Sequence, residues 1–419
     1  MPPLALTMAY WSCCSAVFWI VVAATLASVF GTRNALIGLV LTVISMGLLN
    51  GIISRYAIRT GLSVSLFSRI LFGRTGSALA TLIFAATAIY YAVFEGSVIG
   101  VAATYVWPSL NYKIAALVVV LYSVPLVFGS VQLWLDKFNG ILLPVYLIGL
   151  ALVVGLAIYN FGYTNAWLSA PGKVESATGW WDVYVAYMGV WIMMMFTFDF
   201  ARFGRKEDEQ YHATFNFGIP FYVVAQILSG LAGIFIVNTI PLEGGISEVS
   251  AVKGIIAMMG VLGLIFVWVT QTRINTANYY LAAVNLESLM RLVTGLDLSK
   301  IIWAIVVGVI VYILMMADVF SYILTALAYQ GIFVVAWVGV ALAYILGQAK
   351  HDPIDAGAKP DSAYPAFKFA GLTAWFAAVL IGIIFKNIPA AASFSAPATA
   401  IVSFGIFWLA ERGPLAVKA

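Results

Sequence analysis

Residues 78–106 read ALATLIFAATAIYYAVFEGSVIGVAATYV. As a helix, about 20 residues cross a hydrocarbon core of about 30 Å, so this run is long enough to span a bilayer. Its one carboxylate is Glu95, with Tyr90, Tyr91 and Phe94 before it and Gly96 and Gly100 after it. An acidic side chain inside such a run is expensive and marks a functional site by default. The remainder of the chain agrees. Of 419 residues, 63% are hydrophobic and 9% are charged, and the mean hydropathy is +1.02. A soluble domain carries about 25% charged residues. So few charges leave no means of covering a water-facing surface, and the chain is expected to be an all-α polytopic membrane protein.

Apolar runs recur from end to end and predict twelve spans, near 5–30, 35–57, 78–106, 114–134, 139–160, 181–201, 213–240, 254–284, 301–317, 320–346, 366–385 and 391–410. Fifteen Lys and Arg fall in the even-numbered loops and the C-terminus, five in the odd-numbered loops, and Arg273 lies inside a span. The positive-inside rule therefore puts both termini in the cytoplasm. No Lys/Arg-rich run points to nucleic acid. Cys13 and Cys14 are adjacent in an apolar segment and read as small core residues, not as a disulfide framework or a metal site. MPPLALTMAYW lacks a basic n-region and is expected to begin the first span. His212 and His351 fall at span ends or in loops and suggest no metal constellation.

Three segments carry chemistry. On a helix, Ala88, Tyr91, Glu95 and Val98 share one face. That face presents a flat ring at Tyr91 and an acceptor at Glu95, one turn apart. The pair suits a planar heterocycle that stacks on the ring and gives its N–H protons to the carboxylate, or a proton relay through Glu95; a structural Glu95, protonated or paired with another helix, is the alternative. The second segment, VTQTRINTANYY (269–280), holds Arg273 among Thr270, Gln271, Thr272, Asn275, Thr276 and Asn278. So much polarity in a span implies a face that lines a cavity or the bundle interior, although Arg273 is equally placed to snorkel toward the cytoplasm. The third, MGVWIMMMFTFDFARFGRKEDE (188–209), contains Gly189, which permits a break in the helix. Trp191 lies deeper than the interfacial pair Trp180 and Trp181, which favours a cavity position over an interfacial belt. Asp199 and Arg202 end that span. TGLSVSLFSRILFGR (60–74) is amphipathic and reads as an interfacial helix.

These residues resemble the nucleobase:cation symporter family, which includes cytosine permease and hydantoin, purine, uracil and allantoin transporters. TGLSVSLFSRILFGRTGS (60–77), FDFARFGR (198–205) and NTANYYLAAVNLES (275–288) look like three family segments, in order and at matching spacing over nearly the whole chain. The resemblance implies a leucine-transporter-type fold: two inverted five-helix repeats (1–160 and 161–346) and two additional C-terminal helices (347–419), in one transmembrane domain. It implies a substrate between spans 1, 3, 6 and 8, sandwiched by Tyr91 and Trp191 and held at its polar edge by Glu95 and by Asn275 or Asn278. A sodium site between spans 1 and 8 is also implied, with Thr270 and Thr272 as candidates. Arg273 beside them would repel that ion or replace it. Several departures stand out, among them Glu95, which falls where cytosine permease has a small residue. Relatives of the cytosine and hydantoin branches carry Trp where Tyr91 stands and Gln where Ala88 stands. Span 1 has no Gly or Pro between Met8 and Gly31 to flag an unwound stretch.

The expectation is a multi-pass symporter of a bacterial inner or plasma membrane, monomeric and with no resident cofactor. It imports a nucleobase or related small planar N-heterocycle by alternating access coupled to H+ or Na+. Coupling through Glu95 as a proton carrier, or sodium-independent transport, follows from Arg273. An amine or amino acid transporter on the same fold is the alternative. A membrane enzyme would need a catalytic constellation, and Glu95 has no His or Cys partner in the sequence pattern. A channel would need a ring-forming selectivity motif, and none is evident.

Overall fold

The computed structural model describes residues 1–127, 131–242, 246–347 and 363–412. His351, Lys350, Lys359 and Lys418 lie outside them. The helices are α1 (Pro3–Trp11), α2 (Phe18–Phe30), α3 (Thr32–Thr60), α4 (Val64–Phe72), α5 (Ala78–Val106), α6 (Tyr112–Leu126), α7 (Val131–Phe161), α8 (Gly179–Met188) and α9 (Ile192–Ala201). They continue as α10 (Lys206–Thr239), which holds π-helical turns at His212–Asn216 and Val223–Leu228, and α11 (Ser250–Met259), α12 (Val261–Thr294) and α13 (Lys300–Met316). Then come α14 (Ile323–Gly347), α15 (Phe369–Asn387) and α16 (Ser395–Arg412). Large apolar side chains stand exposed at helical spacing, as at Ile37, Leu41, Ile44 and Leu48 of α3 and Ile301, Ile305, Val309 and Ile313 of α13. These are faces fit for lipid, and the chain is a multi-pass membrane protein.

Twelve spans are not reached by length and composition alone. Among the described residues eight helices are long and apolar enough to cross a membrane, or nine if the bent pair at the N-terminus counts as one span. The shortfall has physical causes. α6 and α13 are short apolar helices, and α12 carries the polar run from Thr270 to Asn278 through its middle. The span expected at 254–284 is cut at Gly260, whose φ of +55° suits glycine, and α12 then runs on to Thr294. The division near Asp318 is present: α13 ends at Met316 and Asp318 takes a left-handed φ of 52°.

Two spans depart from regular α-helix. The first breaks between α1 and α2, across a 3-10 turn at Ser12–Ser15, with a bend of 42°. The sixth is tightened to a 3-10 turn over Gly189–Trp191, between α8 and α9, and runs on as one span from Gly179 to Ala201. Gly189 sits there because a Cβ would collide with the Leu327 carbonyl of α14, and Gly331, one turn along the same helix, approaches its backbone closely. The amphipathic segment forms α4. Ser63 Oγ accepts from Leu66 N at 3.2 Å, an N-cap.

At the basic end of the bundle a chain of hydroxyls ties these helices together. The Tyr10 and Thr197 hydroxyls share a hydrogen bond of 2.8 Å, and the Tyr222 hydroxyl lies 3.5 Å from that of Tyr10. Asn50 Nδ2 donates to the Tyr222 hydroxyl at 2.6 Å. α1, α9, α10 and α3 are thereby joined. Nearer the surface, Arg59 donates to both carboxylate oxygens of Glu209, at 2.7 Å each.

Candidate functional site

α5 and α12 make the most extensive helix–helix contact of the bundle. They run antiparallel. Ile99 and Ala103 of α5 line one groove with Val261, Leu264 and Trp268 of α12, while Ala88 and Ala92 share a packed cluster with Tyr279, Ala282 and Ala283. Glu95 falls between these two levels, beside the turn from Gln271 to Asn275. The break in the first span meets the same level. Val17 N–H, at the start of α2, donates to Gln271 Oε1 at 2.9 Å. Phe18, the next residue, sets its ring edge-on to Tyr91 and to Phe94, with centroids 5.3 and 5.2 Å apart.

The sixth span joins through a residue that the sequence reading passed over. Gln330 of α14 donates from Nε2 to the Tyr91 hydroxyl at 3.1 Å and to the Gly189 carbonyl at 3.0 Å. A lone amide inside the apolar run TALAYQGIF was the available signal, since buried polar groups in spans require partners. Tyr91, Glu95, Trp191, Asn275 and Asn278 thus come from elements that meet around one level, and all five are buried.

This level holds unused hydrogen-bonding capacity. Glu95 forms no hydrogen bond or ion pair among the described residues, and its Oε2 is enclosed. Asn275 has neither its amide nitrogen nor its oxygen partnered, and Asn278 Nδ2, Gln271 Nε2 and Trp191 Nε1 are likewise enclosed and unpartnered. Buried polar atoms are nearly always paired. A cluster of exceptions offers one acceptor carboxyl, donors and acceptors from amides, and aromatic faces, which together match a planar polar ligand.

The ion candidates differ in what they touch. Thr270 Oγ1 donates back to the carbonyls of Phe266 and Val267 on its own helix. The Thr272 hydroxyl shares a 2.8 Å hydrogen bond with the Tyr122 hydroxyl of α6. Arg273 is half-buried, and its Nε is enclosed without a partner. Asp199 Oδ1 accepts from Val64 N at 2.9 Å and so anchors the start of α4, away from the substrate level. Among the described residues no three His, Cys, Asp or Glu side chains come together as a metal group would.

A broken first span and a sixth span tightened to a 3-10 turn pack against the antiparallel pair α5 and α12. The fold is that of Mhp1. The chain matches the closed structure of Mhp1, a nucleobase-cation-symport-1 family transporter with bromovinylhydantoin bound, at TM-score 0.71 and 15% identity, covering 100% of this chain and 94% of that one. It matches the inward-facing conformation of Mhp1 at TM-score 0.73 and 14% identity, covering 98% and 91%. A Na+-coupled sialic acid symporter in a substrate-bound outward-open state matches at TM-score 0.63 and 12% identity, covering 98% and 89%. No protein-family model and no curated protein matches the chain. The Mhp1 likeness is one of fold, and these neighbours are membrane transporters, not enzymes.

Proposed function

We propose that this chain is a secondary transporter that imports a nucleobase or related small planar N-heterocycle of purine, cytosine, uracil, hydantoin or allantoin type, by alternating access. The observation that carries the reading is the unpartnered Glu95 carboxyl, one helical turn from the Tyr91 ring and level with the unpartnered Asn275 amide. Tyr91 and Trp191 sandwich the ring. Glu95 takes its N–H protons, and Asn275 and Asn278 meet its carbonyl and ring-nitrogen edge. The transporter sits in the bacterial inner or plasma membrane as a monomer, with both termini in the cytoplasm, and H+ or Na+ drives uptake.

Glu95 also favours a second reading. A carboxyl without a cation partner suits an organic amine, so an amine or amino acid carrier on the same fold is the alternative. Binding to purified protein separates the two. Tryptophan fluorescence and melting temperature are followed against nucleobases, hydantoins, allantoin, amines and amino acids, for wild type and Glu95→Gln. A hydrogen bond to a charged group contributes about 1.5–3 kcal/mol, so the variant should bind a heterocycle roughly ten- to a hundredfold more weakly. Silence from every heterocycle, with a response to amines, replaces the first reading by the second.

A further inference from the structure

The enclosed polar atoms around Tyr91 are weighted toward donors, and one amide has its orientation fixed. Gln271 Oε1 accepts from Val17 N at 2.9 Å. Exchanging the oxygen with its nitrogen would set one N–H against another, so what Gln271 has to spare is a donor. That Nε2 is enclosed and unpartnered. The same bond holds Gln271 beside the residue before Phe18, whose ring stands edge-on to Tyr91 at 5.3 Å. One turn along α12, Asn275 leaves both its nitrogen and its oxygen unpartnered, and Asn278 leaves its Nδ2. On α5, the helix packed against α12, the Glu95 carboxyl lies one turn from Tyr91 and has an enclosed, unpartnered oxygen. Three amide nitrogens therefore stand against one amide oxygen and one carboxyl. A buried donor left without an acceptor is costly. An occupant that stabilises this level brings several acceptors, and one N–H for the carboxylate.

We propose that the cargo is a cyclic imide, a ring carrying –CO–NH–CO–, and that Gln271 selects it. The imide N–H donates to Glu95. One flanking carbonyl accepts from Gln271 Nε2 and the other from Asn275 Nδ2. Uracil, xanthine and hydantoin present that edge. Cytosine and adenine do not: an amino group replaces a carbonyl, and a ring nitrogen without hydrogen meets the carboxylate. An organic amine brings donors only and leaves Gln271 and Asn275 unpaired. A site built to hydrogen-bond a given group discriminates strongly against an analogue that lacks it. The inference rests on the proposed transport of a planar heterocycle and narrows it to one class.

The test compares matched pairs on purified protein: uracil with cytosine, xanthine with adenine, and hydantoin with its 2-imino analogue. Affinities are read from tryptophan fluorescence for wild type and Gln271→Leu. In each pair that responds, wild type should bind the imide at least about tenfold more tightly than its partner. Gln271→Leu should lose most of that preference, because the imide weakens while the amino or imino ring changes little. Equal affinity within a pair, or preference for the amino or imino ring, overturns the proposal. Equal weakening of both members in Gln271→Leu also overturns it, since a bond that only fastened Val17 would act on both alike. If Gln271→Leu does not fold, the wild-type ratio decides alone. Silence from every ring removes the heterocycle reading itself, and this inference with it, which separates that failure from a failure of selectivity.

Discussion

Gln330 holds the Tyr91 hydroxyl with the same amide nitrogen that holds the Gly189 carbonyl, at 3.1 and 3.0 Å. One side chain therefore sets the orientation of the ring on α5 and the position of the 3-10 turn between α8 and α9. Replacing it by Gln330→Leu removes both bonds at nearly equal volume. Each is a bond of about 0.5–1.5 kcal/mol, so the melting temperature should fall, and the substrate affinity of the folded protein should drop roughly tenfold. Tyr91→Phe, which keeps the ring and loses the hydroxyl, should show a smaller loss in the same direction. Equilibrium binding measures both.

Trp191 gives a graded expectation. Stacking of a base on an aromatic ring contributes about 1–3 kcal/mol. Trp191→Ala should weaken binding of a planar heterocycle roughly ten- to a hundredfold, and Trp191→Phe should recover most of it. Equal loss in both variants would mean that the indole N–H, not the ring face, is what the ligand uses.

Gly189 leaves no room for a side chain, because a Cβ meets the Leu327 carbonyl. A backbone neighbour cannot rotate away. Gly189→Val should push α14 from the turn and abolish uptake, whereas Gly405→Ala, with nothing within 4 Å of its Cβ position, should transport as wild type. Uptake into cells, normalised to the amount of protein in the membrane, tests the pair.

Asp199 acts on stability. Its carboxylate accepts from Val64 N, at the start of α4. Asp199→Ala leaves that N–H without its partner and should cost about 1–2 kcal/mol, read as a lower melting temperature. Ligand affinity of the folded fraction should be unchanged, since Asp199 lies away from the substrate level.

Much of the site was legible because charge inside an apolar run is conspicuous. Glu95, Arg273 and the amide-rich turn around Asn275 announced themselves that way, and Gly189, where a break was expected, marks a 3-10 turn within a continuous sixth span. The break in the first span was hidden for a physical reason. It depends on no Gly or Pro. Ser12 and Ser15 turn their hydroxyls onto carbonyls three residues back, which competes with helix, and Gln271 supplies the acceptor for Val17 from more than two hundred residues away. Only the serine pair was local enough to see. Gln330 was missed because one neutral amide in a span looks unremarkable until both of its partners are known. The count of spans was least secure where helices are short or polar, as in α6, α12 and α13.

The hydroxyl chain from Tyr10 through Thr197 and Tyr222 to Asn50 contains no formal charge, while Arg59 and Glu209 lie at its outer edge with the arginine largely exposed. Mobile ions screen an exposed pair over about 10 Å at moderate ionic strength, but they have no purchase on neutral hydroxyls shut away from water. Parting of the helices at this end is then insulated from the electrolyte around it. Brine should weaken the outer Arg59–Glu209 clasp and leave the neutral hydroxyl chain beneath it intact.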